Sequence, residues 1–140
     1  MTEFQEKLLQ TFEAFSQFCK ANNLTYYAAY GTCLGAVRHH GFIPWDDDID
    51  VYMKREDYER LLSVRDQLNG TKWSVSDFRD GNYPYSFGKF YATDCSVWEL
   101  RQFPFIIGPW IDIFPLDEWE ENKEVADLYN DAHYALWNYR

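Results

Sequence analysis

The sequence predicts a single α+β domain: a mixed β-sheet with helices covering one face or both. Three observations lead there. Helical and strand-like periodicities follow one another as helix, strand, turn-helix, strand, helix, a group of strands, strand and helix, which is the pattern of a sheet layered with helices. The chain has 140 residues, enough for one core and not comfortably for two. Apolar residues make up 46% and charged residues 26%, a globular balance rather than a disordered one.

The elements follow in order. Over residues 2–22, Phe4, Leu8, Phe12, Phe15 and Cys19 recur at helical spacing, and Thr2 with Gln5 reads as a capping box. Residues 24–30 are rich in β-formers and end at Gly31, so they read as a buried strand. Residues 31–38 read as a tight turn leading into a short helix, and 39–47, with Gly41 and Pro44, as a loop. A second strand covers 49–53. Residues 55–68 read as a helix, with Tyr58, Leu61, Leu62, Arg65 and Leu68 sharing a face before Asn69-Gly70 stops it.

Residues 73–78 and 85–91 read as strands joined through Arg79-Asp80-Gly81-Asn82. A further strand is expected over 96–102 and a short apolar one over 110–114. The final helix, 123–139, places Val125, Leu128, Ala132 and Leu136 on one side. It carries no stop signal before Arg140, which reads as a chain cut from something longer.

Charge and cysteine content exclude several classes of function. Thirteen basic residues against 23 acidic ones give a net charge of −10, with no Lys/Arg run. Such a chain repels a phosphate backbone, so nucleic acid is not an expected partner. Cys19, Cys33 and Cys95 are odd in number and widely spaced, which argues against a disulfide framework or a zinc site and for a reducing, cytoplasmic setting. The first residues lack a basic and an apolar region, so no signal peptide is read there. The longest apolar stretch, 103–113, is broken by Pro104, Gly108, Pro109 and Asp112, so no integral membrane segment is expected.

Trp45-Asp46-Asp47-Asp48-Ile49-Asp50-Val51 is the most informative stretch. On a strand Asp48 and Asp50 point the same way, their Cα atoms about 6.5–7 Å apart, while Ile49 and Val51 face the core. Two carboxylates held side by side repel unless a cation lies between them, and hard ions such as Mg²⁺ or Mn²⁺ suit that pair. A calcium loop does not fit, because its sixth position is Val51 instead of Gly and its twelfth is Asp57 instead of Glu.

In Trp110-Ile111-Asp112-Ile113-Phe114 a lone acid sits in an apolar strand. Burying it is costly unless it is paired or metal-bound; the alternative is an edge strand with one wet face. If this strand lies beside 49–53, Asp112 becomes a third carboxylate, and three acids can hold the two ions of an in-line phosphoryl displacement. Gly31 and Thr32, at a strand end before a helical turn, suit phosphate. Arg38 is a candidate phosphate partner, as is Lys89, whose alternative reading is a solvent-facing lysine on an edge.

Together, hydrophobic-Gly-Thr, Asp-hydrophobic-Asp-hydrophobic and hydrophobic-Asp-hydrophobic resemble the polymerase-β type of nucleotidyltransferase. Tyr30-Gly31-Thr32-Cys33-Leu34-Gly35-Ala36-Val37-Arg38-His39 and Gly41-Phe42-Ile43-Pro44-Trp45-Asp46-Asp47-Asp48-Ile49-Asp50 closely resemble the LicD family, which includes the fukutin-type transferases. Arg55-Glu56-Asp57-Tyr58-Glu59 and Ile111-Asp112-Ile113-Phe114-Pro115-Leu116-Asp117 continue the likeness over roughly residues 24–117. One departure is Lys89-Phe90-Tyr91, where the family shows a Lys-Leu-Arg-like stretch.

The resemblance implies a nucleotidyltransferase-like mixed sheet with flanking helices, one domain over residues 1–140. It also implies Mg²⁺- or Mn²⁺-dependent transfer of phosphocholine, or a similar phospho-alcohol, from CDP-choline or another nucleotide-activated alcohol to a glycan hydroxyl. Asp48, Asp50 and Asp112 would then be the metal and catalytic acids, and Gly31, Thr32, Arg38 and Lys89 would meet donor phosphate. Trp45, Tyr83, Tyr85 and Trp110 are candidates to hold a quaternary ammonium, each with core packing as the plainer role. The competing readings are a nucleotidyltransferase with another donor and a non-catalytic metal- or nucleotide-binding module.

Overall fold

The computed structural model describes residues 1–97, 105–118 and 122–138. Four helices are found among them: α1 (Glu3–Ala21), α2 (Tyr30–His39), α3 (Arg55–Val64) and α4 (Lys123–Asn138). The strands are β1 (Tyr27–Ala28), β2 (Asp50–Lys54), β3 (Trp73–Ser76), β4 (Gly88–Ala92) and β5 (Trp110–Leu116). They form one five-stranded sheet in the order β1-β2-β5-β4-β3. The β2–β5 pair is parallel and every other pair is antiparallel, which is the mixed α+β sheet the sequence predicts.

The expected period of two sorts each strand's side chains to opposite faces. Val51, Met53, Val75, Phe90, Ile111 and Ile113 share one face and pack in a single core with Leu8, Phe15 and Cys19 of α1 and Tyr58 and Leu61 of α3. Asp50, Lys89, Asp112 and Ser76 alternate with them and so belong to the other face. The helix α1 has the expected capping box, with Thr2 and Gln5 bonding each other's backbone N–H.

Several elements differ from expectation. The strand expected over 24–30 shrinks to Tyr27–Ala28. It is an edge strand, and Tyr30 takes a left-handed φ of 40° that turns the chain straight into α2. The helix expected over 55–68 finishes as a 3₁₀ turn, Arg65–Leu68, before Gly70 takes its own positive φ. From the strand expected over 96–102, Val97 makes one bridge to Ile107, and 98–102 lie outside the described residues. On α4, Ala126 is buried, whereas Leu128 of the expected apolar face is 67% exposed; the side chain of Leu136 lies outside the described ones.

The loop that carries the acids is held against α2 by a close backbone approach. Gly35, the buried residue of α2, has no room for a side chain: a Cβ there would stand 2.6 Å from the Gly41 carbonyl and 3.1 Å from the Ile43 nitrogen. Helix propensity alone favours Gly35→Ala by about 1 kcal/mol. The clash is with backbone, which cannot rotate aside, and overpacking costs about 1–3 kcal/mol. Gly35→Ala is therefore expected to destabilise the chain by up to about 2 kcal/mol net, read as a lower urea midpoint with unchanged slope.

Candidate functional site

Strand register assembles the site. Asp50 stands opposite Asp112 across the parallel β2–β5 pair, Asp112 opposite Lys89 across β5–β4, and Lys89 opposite Ser76 across β4–β3. Residues opposed in register point to the same face, with strands about 4.8 Å apart. One row, Asp50-Asp112-Lys89-Ser76, therefore crosses four strands. The two acids expected to meet, although 62 positions apart in the chain, do meet. Because β5 has a neighbour on both sides, the edge-strand alternative for Asp112 falls away.

Asp48 lies just before β2 and extends the row electrostatically. Burial first, then the charges of Asp48, Asp112 and Asp46, push the Asp50 carboxyl up from 3.8 to about 7. Asp48 is also raised, by burial first and then by Asp46 and Asp47, while Lys89 acts in the opposite direction on both acids. The acids are thus crowded together, with Lys89 the cation that opposes their charge. Ile49 and Val51 point into the core as expected, at 4% and 0% exposure.

Lys89 is fully buried, and its ammonium lies 2.6 Å from Asp112 Oδ1. The rings of Trp110, Tyr85 and Phe87 surround the same ammonium at 4.4, 4.5 and 5.5 Å. This corrects the solvent-facing, edge-strand alternative for Lys89, because β4 lies inside the sheet, between β5 and β3. Tyr85 and Trp110, candidates for an exogenous ammonium, face the protein's own ammonium. Tyr83 is buried beside Tyr85, and Trp45 is 79% exposed.

The acid loop is fixed from two sides. The Asp50 N–H donates to Thr32 Oγ1 at 2.9 Å, and the Asp112 N–H donates to the Ile49 carbonyl at 2.9 Å. Thr32 thus positions the start of β2. Gly31 has a different reason to be glycine: a Cβ there would lie 2.7 Å from Asp46 Oδ2, so its absence lets that carboxylate approach the first turn of α2. Ala29, the residue capping α2, offers no side-chain bond to that turn. Arg38 lies six residues beyond Thr32, about 9 Å along the helix, exposed and bonded to His39. The structure does not join it to the acids.

Gln5 is a positioning residue that sequence reasoning saw only as a cap. Its Oε1 accepts from the Thr2 N–H, while its Nε2 donates to the carbonyls of Asp46 at 2.8 Å and Pro44 at 3.4 Å. Its only sequence signal is the capping box, which says nothing of the loop some 40 residues later. Gln5→Ala is expected to cost about 1–3 kcal/mol by stranding these carbonyls. Gln5→Glu removes the donor and adds charge to an acidic loop, so it is expected to be the more damaging in the same urea titration.

Among the described residues no three His, Cys, Asp or Glu side chains already stand at metal-ligating distance, and no helix is long and apolar enough to cross a membrane. The donor chemistry nevertheless suits a hard divalent ion: carboxylate oxygens, clustered, with Asp50 raised by its neighbours' charge.

The chain is 45% identical over 64 residues to the lipopolysaccharide cholinephosphotransferase LicD of Haemophilus influenzae, a match covering 46% of this chain and 24% of that protein. It is 38% identical over 69 residues to the uncharacterized protein RP689 of Rickettsia prowazekii, covering 49% of this chain and 26% of that one. The matches thus span about a quarter of each relative's length. The family model described as LicD/FKTN/FKRP, nucleotidyltransferase domain, matches residues 23–138, a range that includes Gly31, Thr32, all the acids of the site and Lys89. With a match over most of its length, the chain belongs to the LicD/FKTN/FKRP nucleotidyltransferase-domain family.

Proposed function

We propose that this chain is the catalytic unit of a transferase that moves phosphocholine, or a similar phospho-alcohol, from a CDP-activated donor to a glycan hydroxyl. Its place would be the reducing interior that three free thiols suit. The observation that carries the proposal is the row of opposed carboxylates. Asp50 and Asp112 share one sheet face with Asp48 beside them, and burial, followed by the charges of these neighbours, lifts Asp50 to about 7. Carboxylates so crowded favour a divalent ion among them. The similarity to a lipopolysaccharide cholinephosphotransferase points to choline as the alcohol.

Asp48 and Asp50 would hold the ion, Mg²⁺ or Mn²⁺, with Asp112 completing the acidic set. The ion, when bound, supplies Lewis-acid stabilisation of charge on the transferring phosphoryl group. The protein supplies the rest. The first turn of α2 has no side-chain cap, so its backbone N–H groups suit donor phosphate, beside the Asp46 carboxylate that Gly31 admits. Thr32 fixes the start of β2 and so the direction of Asp50. In the reaction an acceptor oxygen forms a bond to the phosphorus bearing choline, the bond from that phosphorus to CMP breaks, and the acceptor's proton passes to a carboxylate of the row or to water.

The experiment is release of CMP from CDP-choline by the purified chain with Mn²⁺ and a panel of sugar acceptors, with CDP-ribitol and nucleoside triphosphates as alternative donors. Metal-dependent CMP formation, lost in Asp48→Asn, is the expected result. Calorimetric binding of donor and metal with no CMP formed would instead identify a non-catalytic binding module.

A further inference from the structure

We propose that the Lys89 ammonium is a built-in second cation of the acidic centre, so that the chain takes one divalent ion, at Asp48 and Asp50, and not two. The inference rests on the metal-dependent reading above and goes beyond it, because three carboxylates alone are compatible with either number. Three observations favour one. The ammonium is fully buried and 2.6 Å from Asp112 Oδ1, so that carboxylate already has a cation of its own.

The surroundings of that ammonium are the second observation. Tyr85, Phe87 and Trp110 turn ring faces toward it at 4.5, 5.5 and 4.4 Å. Ring faces attract a monovalent ammonium by cation–π interaction. They offer no oxygen to a small divalent ion, which requires about six oxygen ligands and sheds water reluctantly. The Asp112 end of the row is thus built for an ammonium.

The opposite end is the third observation. Asp50 lies next to the loop that carries Asp46, Asp47 and Asp48, whose charges reach Asp48 and Asp50. Side-chain oxygens are abundant there, in the four acids Asp46, Asp47, Asp48 and Asp50. Register therefore splits the row into a half suited to a divalent ion and a half already neutralised by Lys89.

The test is the stoichiometry of Mn²⁺ bound by the purified chain, read by calorimetric titration and by the electron paramagnetic resonance signal of free Mn²⁺. The wild-type chain is expected to take one equivalent. Lys89→Met, which keeps the length and removes the charge but leaves the rings, is expected to take no second ion and to bind the one ion more tightly, because Lys89 no longer opposes the acids. Asp112→Asn is expected to keep one equivalent with affinity within about threefold of wild type, since Asp112 is not assigned to the ion. Two equivalents in the wild type overturn the inference and leave the metal-dependent reading standing, as does loss of the ion in Asp112→Asn. Unchanged or weaker Mn²⁺ affinity in Lys89→Met overturns it too. No Mn²⁺ bound at all overturns both. If Lys89→Met does not fold, the wild-type and Asp112→Asn titrations decide alone.

Discussion

Asp50→Asn is expected to abolish transfer while making the metal-free chain more stable at neutral pH. The two effects share a cause. Asp50 is buried and crowded by Asp48, Asp112 and Asp46, which push its carboxyl from 3.8 up to about 7. Above pH 7 the folded chain holds a carboxylate that the unfolded chain tolerates more easily, a penalty of up to about 4 kcal/mol. The sign follows from proton binding. Between roughly pH 4 and 7 the folded chain retains a proton that the unfolded chain has released, so stability falls as pH rises through that window.

Asparagine cannot ionise, so the gain over wild type is expected to be near zero at pH 4 and largest at pH 8. Urea unfolding at the two pH values reads it directly. Saturating Mg²⁺ should shrink the pH 8 difference, because an ion bound by the carboxylate relieves the same repulsion. Activity should fall by about 10³-fold or more, the scale on which loss of a principal transition-state electrostatic group registers. Equal stability of the two proteins at pH 8 would refute the crowding, and full activity would refute the role.

The acids of this site are legible in the sequence because their neighbours are apolar. Ile49 and Val51 had to face the core, which fixed the direction of Asp50; Ile111 and Ile113 did the same for Asp112. Which strands adjoin was not legible from periodicity, since the β2–β5 pairing joins residues about 60 positions apart and depends on the whole sheet order. The resemblance to a known family supplied that link. Lys89 shows the limit. The face opposite the core is water on an edge strand and a closed, ring-lined space on an inner one, and the local sequence does not say which strand this is. Gln5 fails for a related reason, because a side chain amide can satisfy a cap and a distant loop at once, and only the cap is local. On α4, helical spacing identified an apolar stripe without showing what, if anything, it would pack on, and Leu128 remains exposed.

Lys89→Met is expected to destabilise the chain by about 3–5 kcal/mol, and Lys89→Met combined with Asp112→Leu to recover most of that loss. A buried ion pair gains little net stability, because desolvating two charges offsets most of their attraction. Removing one partner is another matter. The Lys89 side chain is 0% exposed and that of Asp112 12%, so the single substitution leaves Asp112 facing Asp50 with water nearly absent and its cation gone. The rings of Tyr85 and Trp110 lose their ammonium as well, although Met packs well against aromatic faces and limits that part of the cost. Replacing both charges removes the stranded carboxylate, and apolar side chains of similar volume beside Trp110, Tyr85 and Phe87 are then compatible with their surroundings. Urea unfolding of the two singles and the double closes the cycle, with an expected coupling of about 3 kcal/mol or more. Additive losses would mean that Lys89 and Asp112 merely lie close together. The double variant is expected to be stable and inactive, which would separate what this pair does for transfer from what it does for the fold.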